Sequence, residues 1–133
     1  MDNAFRDLSP LLNPRGIAVV GASPRAGSAG RLVLENLLDL AYSGPLYAVH
    51  PKHREVMGVP CYPDLGSLPK QVDMVSVLLA ADKVLPVLRS AVDNGVRAAW
   101  VLASGFAESG PEGRVRQLEL SRFAAESLSL IHI

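Results

Sequence analysis

The chain contains a single cysteine, Cys61, in 133 residues. An intrachain disulfide is therefore excluded, and a cysteine-based zinc site is not expected. Net charge is also missing, because 13 Lys and Arg residues balance 13 Asp and Glu residues. Nothing global points to a nucleic-acid surface. No apolar run approaches the roughly 18 residues of a membrane span. The start, MDNAFRDLSPLLNP, lacks the basic segment and apolar stretch of a secretory signal. Neither nucleic acid nor a membrane is thus an expected partner, and a cytoplasmic setting is expected. The three histidines, His50, His53 and His132, form no recognised metal spacing, and no internal repeat or low-complexity segment occurs. Three phosphate or nucleophile signatures are absent as well: G-x-G-x-x-G, G-x4-G-K-[ST] and G-x-S-x-G.

What is present reads as one globular domain with a real core, since hydrophobic residues make up 49% of the chain and charged residues 20%. Strands alternate with helices. GIAVV (16–20), PLYAVHP (45–51), VDMVSVLLA (72–80) and RAAWVLAS (97–104) are short apolar runs of the kind buried on both faces of a sheet. Trp100, inside the last of them, reads as core. Between them, GRLVLENLLDLAYSG (30–44) and ADKVLPVLRSAVDNG (81–95) carry helical spacing, with Gly44–Pro45 and Gly95 as stops and Asp82 as N-cap. Pro86 is placed within roughly the first turn of its helix, where its missing N–H costs little. PEGRVRQLELSRFAAES (111–127) starts a third helix on Pro111 and Glu112. The Pro- and Gly-rich section 50–71 reads as a long connection. This alternation predicts an α/β fold, a doubly wound parallel sheet with helices on both faces, whose ligands bind at the carboxyl ends of the strands.

Those four strand ends are where chemistry is sought. The first, GASPRAGSAGR (21–31), joins a strand to a helix N-terminus, whose free N–H groups favour an anion. Gly21, Gly27 and Gly30 permit close backbone approach, Ser23 and Ser28 offer hydroxyls, and Arg25 can reach a phosphate. The second end, AVHPKHRE, has His50, Lys52, His53 and Arg54 and no acid before Glu55. NAD enzymes place an acid there for the ribose. The basic cluster suits an extra phosphate instead, as on NADP or on the 3′-phosphorylated end of coenzyme A. The third and fourth ends offer small residues, Ala80, Ala81, Ser104 and Gly105, that leave room for an extended ligand, with Glu108 near the last. No catalytic constellation emerges; Cys61 has no activating partner and reads as an inert thiol.

Taken in order, LLNPRGIAVVGASPRAGSAGR, GPLYAVHPKHREVMGVPCYPDLGSLP, VDMVSVLLAADKV and GVRAAWVLASGFAESG resemble the N-terminal CoA-binding domain of NDP-forming (ADP-forming) acyl-CoA synthetases. The same domain opens the succinyl-CoA synthetase α subunit and some CoA-dependent protein lysine acetyltransferases. The resemblance covers about residues 8–126 and implies a Rossmann-like domain with coenzyme A as cofactor. By position, the family's nucleotide-contacting loop falls on Ser23, Pro24, Arg25 and Ala26, after Gly21. Its basic contact falls on Lys52, and its fourth-strand loop falls on Ala103, Ser104 and Gly105. In full-length synthetases an acid, CoA and ATP become acyl-CoA, ADP and phosphate, through an acyl phosphate and a phosphorylated histidine.

This sequence departs from the family at His50, where Asn is usual, and at LLAADK, where Val-Pro-Ala is usual. The Gly-Pro-Asn turn that follows a fifth strand in the family is also missing. Residues 1–126 are therefore expected to form the CoA-binding domain with its last strand missing. SLSLIHI (127–133) resembles the start of a translated sequencing adaptor and is expected to be a non-native or frameshifted tail. The ligase and ATP-grasp domains of a parent synthetase are the implied partners, and this chain, a fragment on that reading, is expected to be catalytically incomplete. A stand-alone CoA-binding regulatory domain, part of a lysine acetyltransferase, and an NAD(P)-dependent oxidoreductase are the competing readings.

Overall fold

The computed structural model describes residues 9–102, 110–127 and 130–132. Seven strands form one sheet: β1 (Ile17–Val20), β2 (Leu46–Val49), β3 (Glu55–Val56), β4 (Val59–Tyr62), β5 (Met74–Val77), β6 (Ala98–Val101) and β7 (Leu130–His132). Their spatial order is β3-β4-β2-β1-β5-β6-β7. Every pairing is parallel except that of β3 with β4. The helices are α1 (Ser9–Leu12), α2 (Ala29–Asp39), α3 (Ala81–Asp93) and α4 (Pro111–Ser127). The chain leaves β1 toward β2 and β4, then crosses back to add β5, β6 and β7 on the other side. A topological switch therefore lies between β1 and β5, and their carboxyl ends frame a crevice there.

Alternation along β1 explains the two layers. Ala18 and Val20 join the apolar cluster that includes Val84 and Leu88 of α3 and Leu120 of α4. Ile17 and Val19 join the opposite cluster, which includes Leu34 of α2. All four β1 residues are buried, as a strand covered on both faces requires. Entry to β1 is clamped by Tyr42, whose hydroxyl accepts from Gly16 N–H at 2.7 Å and donates to the Pro14 carbonyl at 2.8 Å.

Four features differ from the sequence-based expectation. The section 50–71 is not a plain connection, because it holds the β3–β4 hairpin. Its two-residue turn has Met57 at φ 54° and Gly58 at φ 81°, the left-handed pair that hairpin twist demands. The place beside β6, expected to be empty for want of a last strand, is filled by β7, which pairs Leu130–His132 with Ala98–Trp100. A short segment returning from α4 can satisfy the exposed edge of β6 with only three residues of ladder. Trp100 is half-buried and not full core. At α3 the N-cap is Ala80, which gives no side-chain cap; Asp82 lies inside the first turn, and Pro86 lies one turn deeper than its expected place.

Leu34 is the one large, fully buried side chain of α2, so the helix is held to its face of the sheet chiefly there. Leu34→Ala is expected to cost about 2–5 kcal/mol, read as a lowered thermal midpoint. Leu32→Ala, on a side chain 56% exposed, should leave that midpoint nearly unchanged.

Candidate functional site

The turn after β1 is built from two glycines that touch. Gly21 takes φ +90°, and a Cβ there would run into the Leu78 carbonyl oxygen at the end of β5. A Cβ on Gly30, in the first turn of α2, would strike the Gly21 carbonyl oxygen and lie 3.0 Å from Ala22 Cα and 3.1 Å from Ser23 N. Glycine at 30 thus lets the N-terminus of α2, the end of a helix that favours an anion, press against the loop backbone.

The polar side chains of this loop divide into those that hold the turn and those left for a ligand. Ser28 caps α2, accepting from Arg31 N–H at 3.2 Å and donating to the Arg25 carbonyl at 2.8 Å. Arg31 donates to the Pro24 carbonyl at 2.6 Å and pairs with Glu35 at 2.7 Å. Both side chains are committed to the loop itself. Ser23 accepts from Arg25 N–H at 3.1 Å, a tight local turn, and lines the crevice together with Gly21. Pro24, Arg25, Ala26 and Gly27 are exposed at the tip.

The crevice is a cleft of about 590 Å³, within the range of cofactor sites. One wall follows β2 and β4, through His50, Pro51, Pro63, Asp64 and Leu65; the other is α3, through Lys83, Pro86 and Val87. Apolar prolines and leucines alternate with a few polar groups, as a ligand with both apolar and phosphate parts requires. Of the expected site residues, Gly21 and Ser23 line this cleft, while Lys52 lies exposed on the adjoining loop and Ala80 is exposed at the start of α3. Ala103, Ser104 and Gly105, like Glu108, lie outside the described residues. The α3 wall was not legible in advance. Lys83 sits in an exposed first turn, where a lysine reads as solvated, and only the docking of α3 beside β1 brings it to the cleft.

His50 has a defined environment. Its backbone N–H donates to the Tyr62 carbonyl at 3.0 Å, continuing the β2–β4 pairing. Its ring Nδ1 accepts from Lys52 N–H at 3.0 Å, and its ring centroid lies 4.4 Å from that of His53. Burial, then the neighbouring His53 and Lys52 charges, hold its pKa below the ordinary 6.5. Cys61 is buried and donates to the His50 carbonyl at 3.8 Å. Burial pushes its thiol pKa up, which fits the inert role read from its sequence context.

A folded-state pKa depressed below the unfolded value means that the unfolded chain binds the proton more readily. The stability that neutral His50 contributes is full above pH 6.5 and is lost as pH falls through its folded pKa. A series of melting curves across this window should show a steeper acid-side fall for the wild type than for His50→Asn, which cannot take up that proton.

The match to known proteins runs along the same elements. Residues 15–131 fit the family model described as CoA binding domain. The chain is 36% identical over 121 residues to trans-feruloyl-CoA synthase FCS1 of an unknown prokaryotic organism, covering 91% of this chain and 17% of that protein. It is 38% identical over 114 residues to the ADP-forming acetate–CoA ligase I of Archaeoglobus fulgidus, covering 86% of this chain and 16% of that protein. Among solved structures it is similar to the dinucleotide forming acetyl-coenzyme A synthetase 1 of Ca. Korarchaeum cryptofilum in complex with phosphate and ADP. That match has a TM-score of 0.85 at 38% identity and covers 92% of this chain and 26% of that one. The chain thus spans about one sixth of the length of these two curated relatives. With a Rossmann-like sheet, a glycine turn against a helix N-terminus and a cleft at the switch point, the chain belongs to the CoA binding domain family, and its cofactor is coenzyme A.

Proposed function

We propose that this chain is the CoA-binding module of an ADP-forming acyl-CoA synthetase, a cytoplasmic enzyme that converts an acid, CoA and ATP to acyl-CoA, ADP and phosphate. One observation carries the assignment of residues: the glycine turn and the basic loop after β2 meet at a single cleft that has no acid on the β2 loop to clasp a ribose. When bound, coenzyme A supplies the thiol that accepts the acyl group. The chain's own residues bind and orient it. Gly21, Ser23, Pro24, Arg25 and Ala26 form the phosphate-facing loop, where backbone N–H groups and the Arg25 guanidinium meet the diphosphate. Lys52 meets the 3′-phosphate, Lys83 adds a cation from α3, and the small residues Ala80, after β5, and Ala103, Ser104 and Gly105, after β6 in the sequence, complete the proposed site. Acid activation and phosphate transfer belong to the ligase and ATP-grasp domains of the parent protein, which are this module's partners.

Titration calorimetry with three ligands tests this assignment. CoA should bind about tenfold more tightly than dephospho-CoA, or about 1.4 kcal/mol, the scale of one charge-assisted contact. Lys52→Ala should erase that difference while leaving dephospho-CoA binding intact. Equal binding of CoA and dephospho-CoA by the wild type would remove the role given to Lys52. Binding of NADP without CoA would overturn the whole reading. Gly30→Ala should weaken both CoA and dephospho-CoA, because its methyl displaces the loop backbone, and should lower the melting temperature in the same step.

A further inference from the structure

The basic loop after β2 carries a hydrogen-bond arrangement that a lysine cluster alone does not need. A ring nitrogen that accepts a hydrogen bond holds no proton, so the Lys52 N–H bond to Nδ1 leaves neutral His50 with its proton on Nε2. The ring lies against His53, tilted by 41°. The backbone on both sides of the ring is pinned, through Tyr62 and Cys61 of β4. His50 also lines the cleft where the cofactor is placed. A proton on Nδ1 would break the Lys52 bond and put a third cationic group beside Lys52 and Arg54.

We infer that His50 binds a phosphate of the cofactor with uptake of a proton, so that cofactor affinity is linked to pH through this one ring. The inference rests on the CoA reading of the cleft. A phosphate oxygen arriving at the loop accepts from Lys52 N–H in place of Nδ1. The freed Nδ1 takes a proton from solvent, and the anion offsets the positive charge that otherwise opposes it. The lowered pKa of the unliganded ring agrees in sign, since its causes, burial followed by His53 and Lys52, are the ones an anion counters. The groups facing His50 are consistent with a net positive site. On its own loop are Lys52, His53 and Arg54, and from β4 comes the neutral Cys61 thiol. Asp64 and Lys83 share the cleft, and Asp64 already accepts from the Ser67 hydroxyl at 2.8 Å. The resembled family usually has Asn at this position, and an amide takes up no proton, so the linkage is a property of this chain.

Calorimetry of CoA binding in two buffers of different ionisation enthalpy counts the protons taken up. The wild type is expected to take up a proton, and its affinity to rise by up to about tenfold for each unit that the pH falls between the bound and free pKa values of His50. His50→Asn is expected to lose that uptake. Should the variant fold poorly, NMR titration of the wild-type His50 ring serves in its place, with its pKa expected to rise when CoA is added. Linkage kept with dephospho-CoA assigns the contact to the diphosphate, linkage lost assigns it to the 3′-phosphate, and both support the inference. Equal proton uptake by wild type and His50→Asn, or a His50 ring whose titration CoA leaves unchanged, would overturn it while leaving the CoA site standing. Failure of the wild type to bind CoA at all would instead overturn the reading of the cleft.

Discussion

The close approach of Gly30 to the Gly21–Ser23 backbone is the constraint on which the site depends. It brings the N-terminus of α2 against the end of β1 with no side chain between them. On its other side, Gly21 lies against the Leu78 carbonyl, where β5 begins the second half of the sheet. One short turn therefore joins three elements at the topological switch point. The cleft opens there because the sheet grows from β1 toward β2 on one side and toward β5 on the other.

Around that turn, the structure separates groups that shape the loop from groups that face a ligand. Ser28 and Arg31 satisfy the backbone of the loop, and Glu35 fixes the arginine. Ser23, His50 and Lys83 lie at the cleft, with Lys52 at its edge. His50 on one wall and Lys83 on the other are interspersed with the prolines and leucines that make both walls largely apolar. The division fits a ligand with a diphosphate, a further phosphate and a long uncharged arm.

Much of the fold could be read from local pattern. β1, β2, β5 and β6 each follow from a short apolar run, and α4 spans the residues that Pro111 and the helical pattern marked. The β3–β4 hairpin escaped notice because its turn is Met57–Gly58 without the usual Asn or Asp, and because Pro60 within β4 reads as a strand breaker. That proline is tolerated since the β2–β4 ladder involves only Cys61 and Tyr62. At the site, glycines and the basic run were legible because their chemistry is local to the chain. Ser28 looked as suited to phosphate as Ser23, and its commitment to capping α2 is decided by distances that spacing does not encode. Lys83 and Asp64 reach the cleft only through the packing of α3 and of the segment after β4, which is tertiary information.

The central claim is that coenzyme A lies in the cleft between the β1 turn, the β2 loop and α3. The most direct measurement is an amide NMR titration of the full chain with CoA. The account predicts saturable shifts concentrated at Gly21–Ala26, His50–Arg54 and Leu78–Lys83, with the outer face of α2 undisturbed. Saturable binding whose shifts fall elsewhere on the molecule, or no shifts at all, would contradict it.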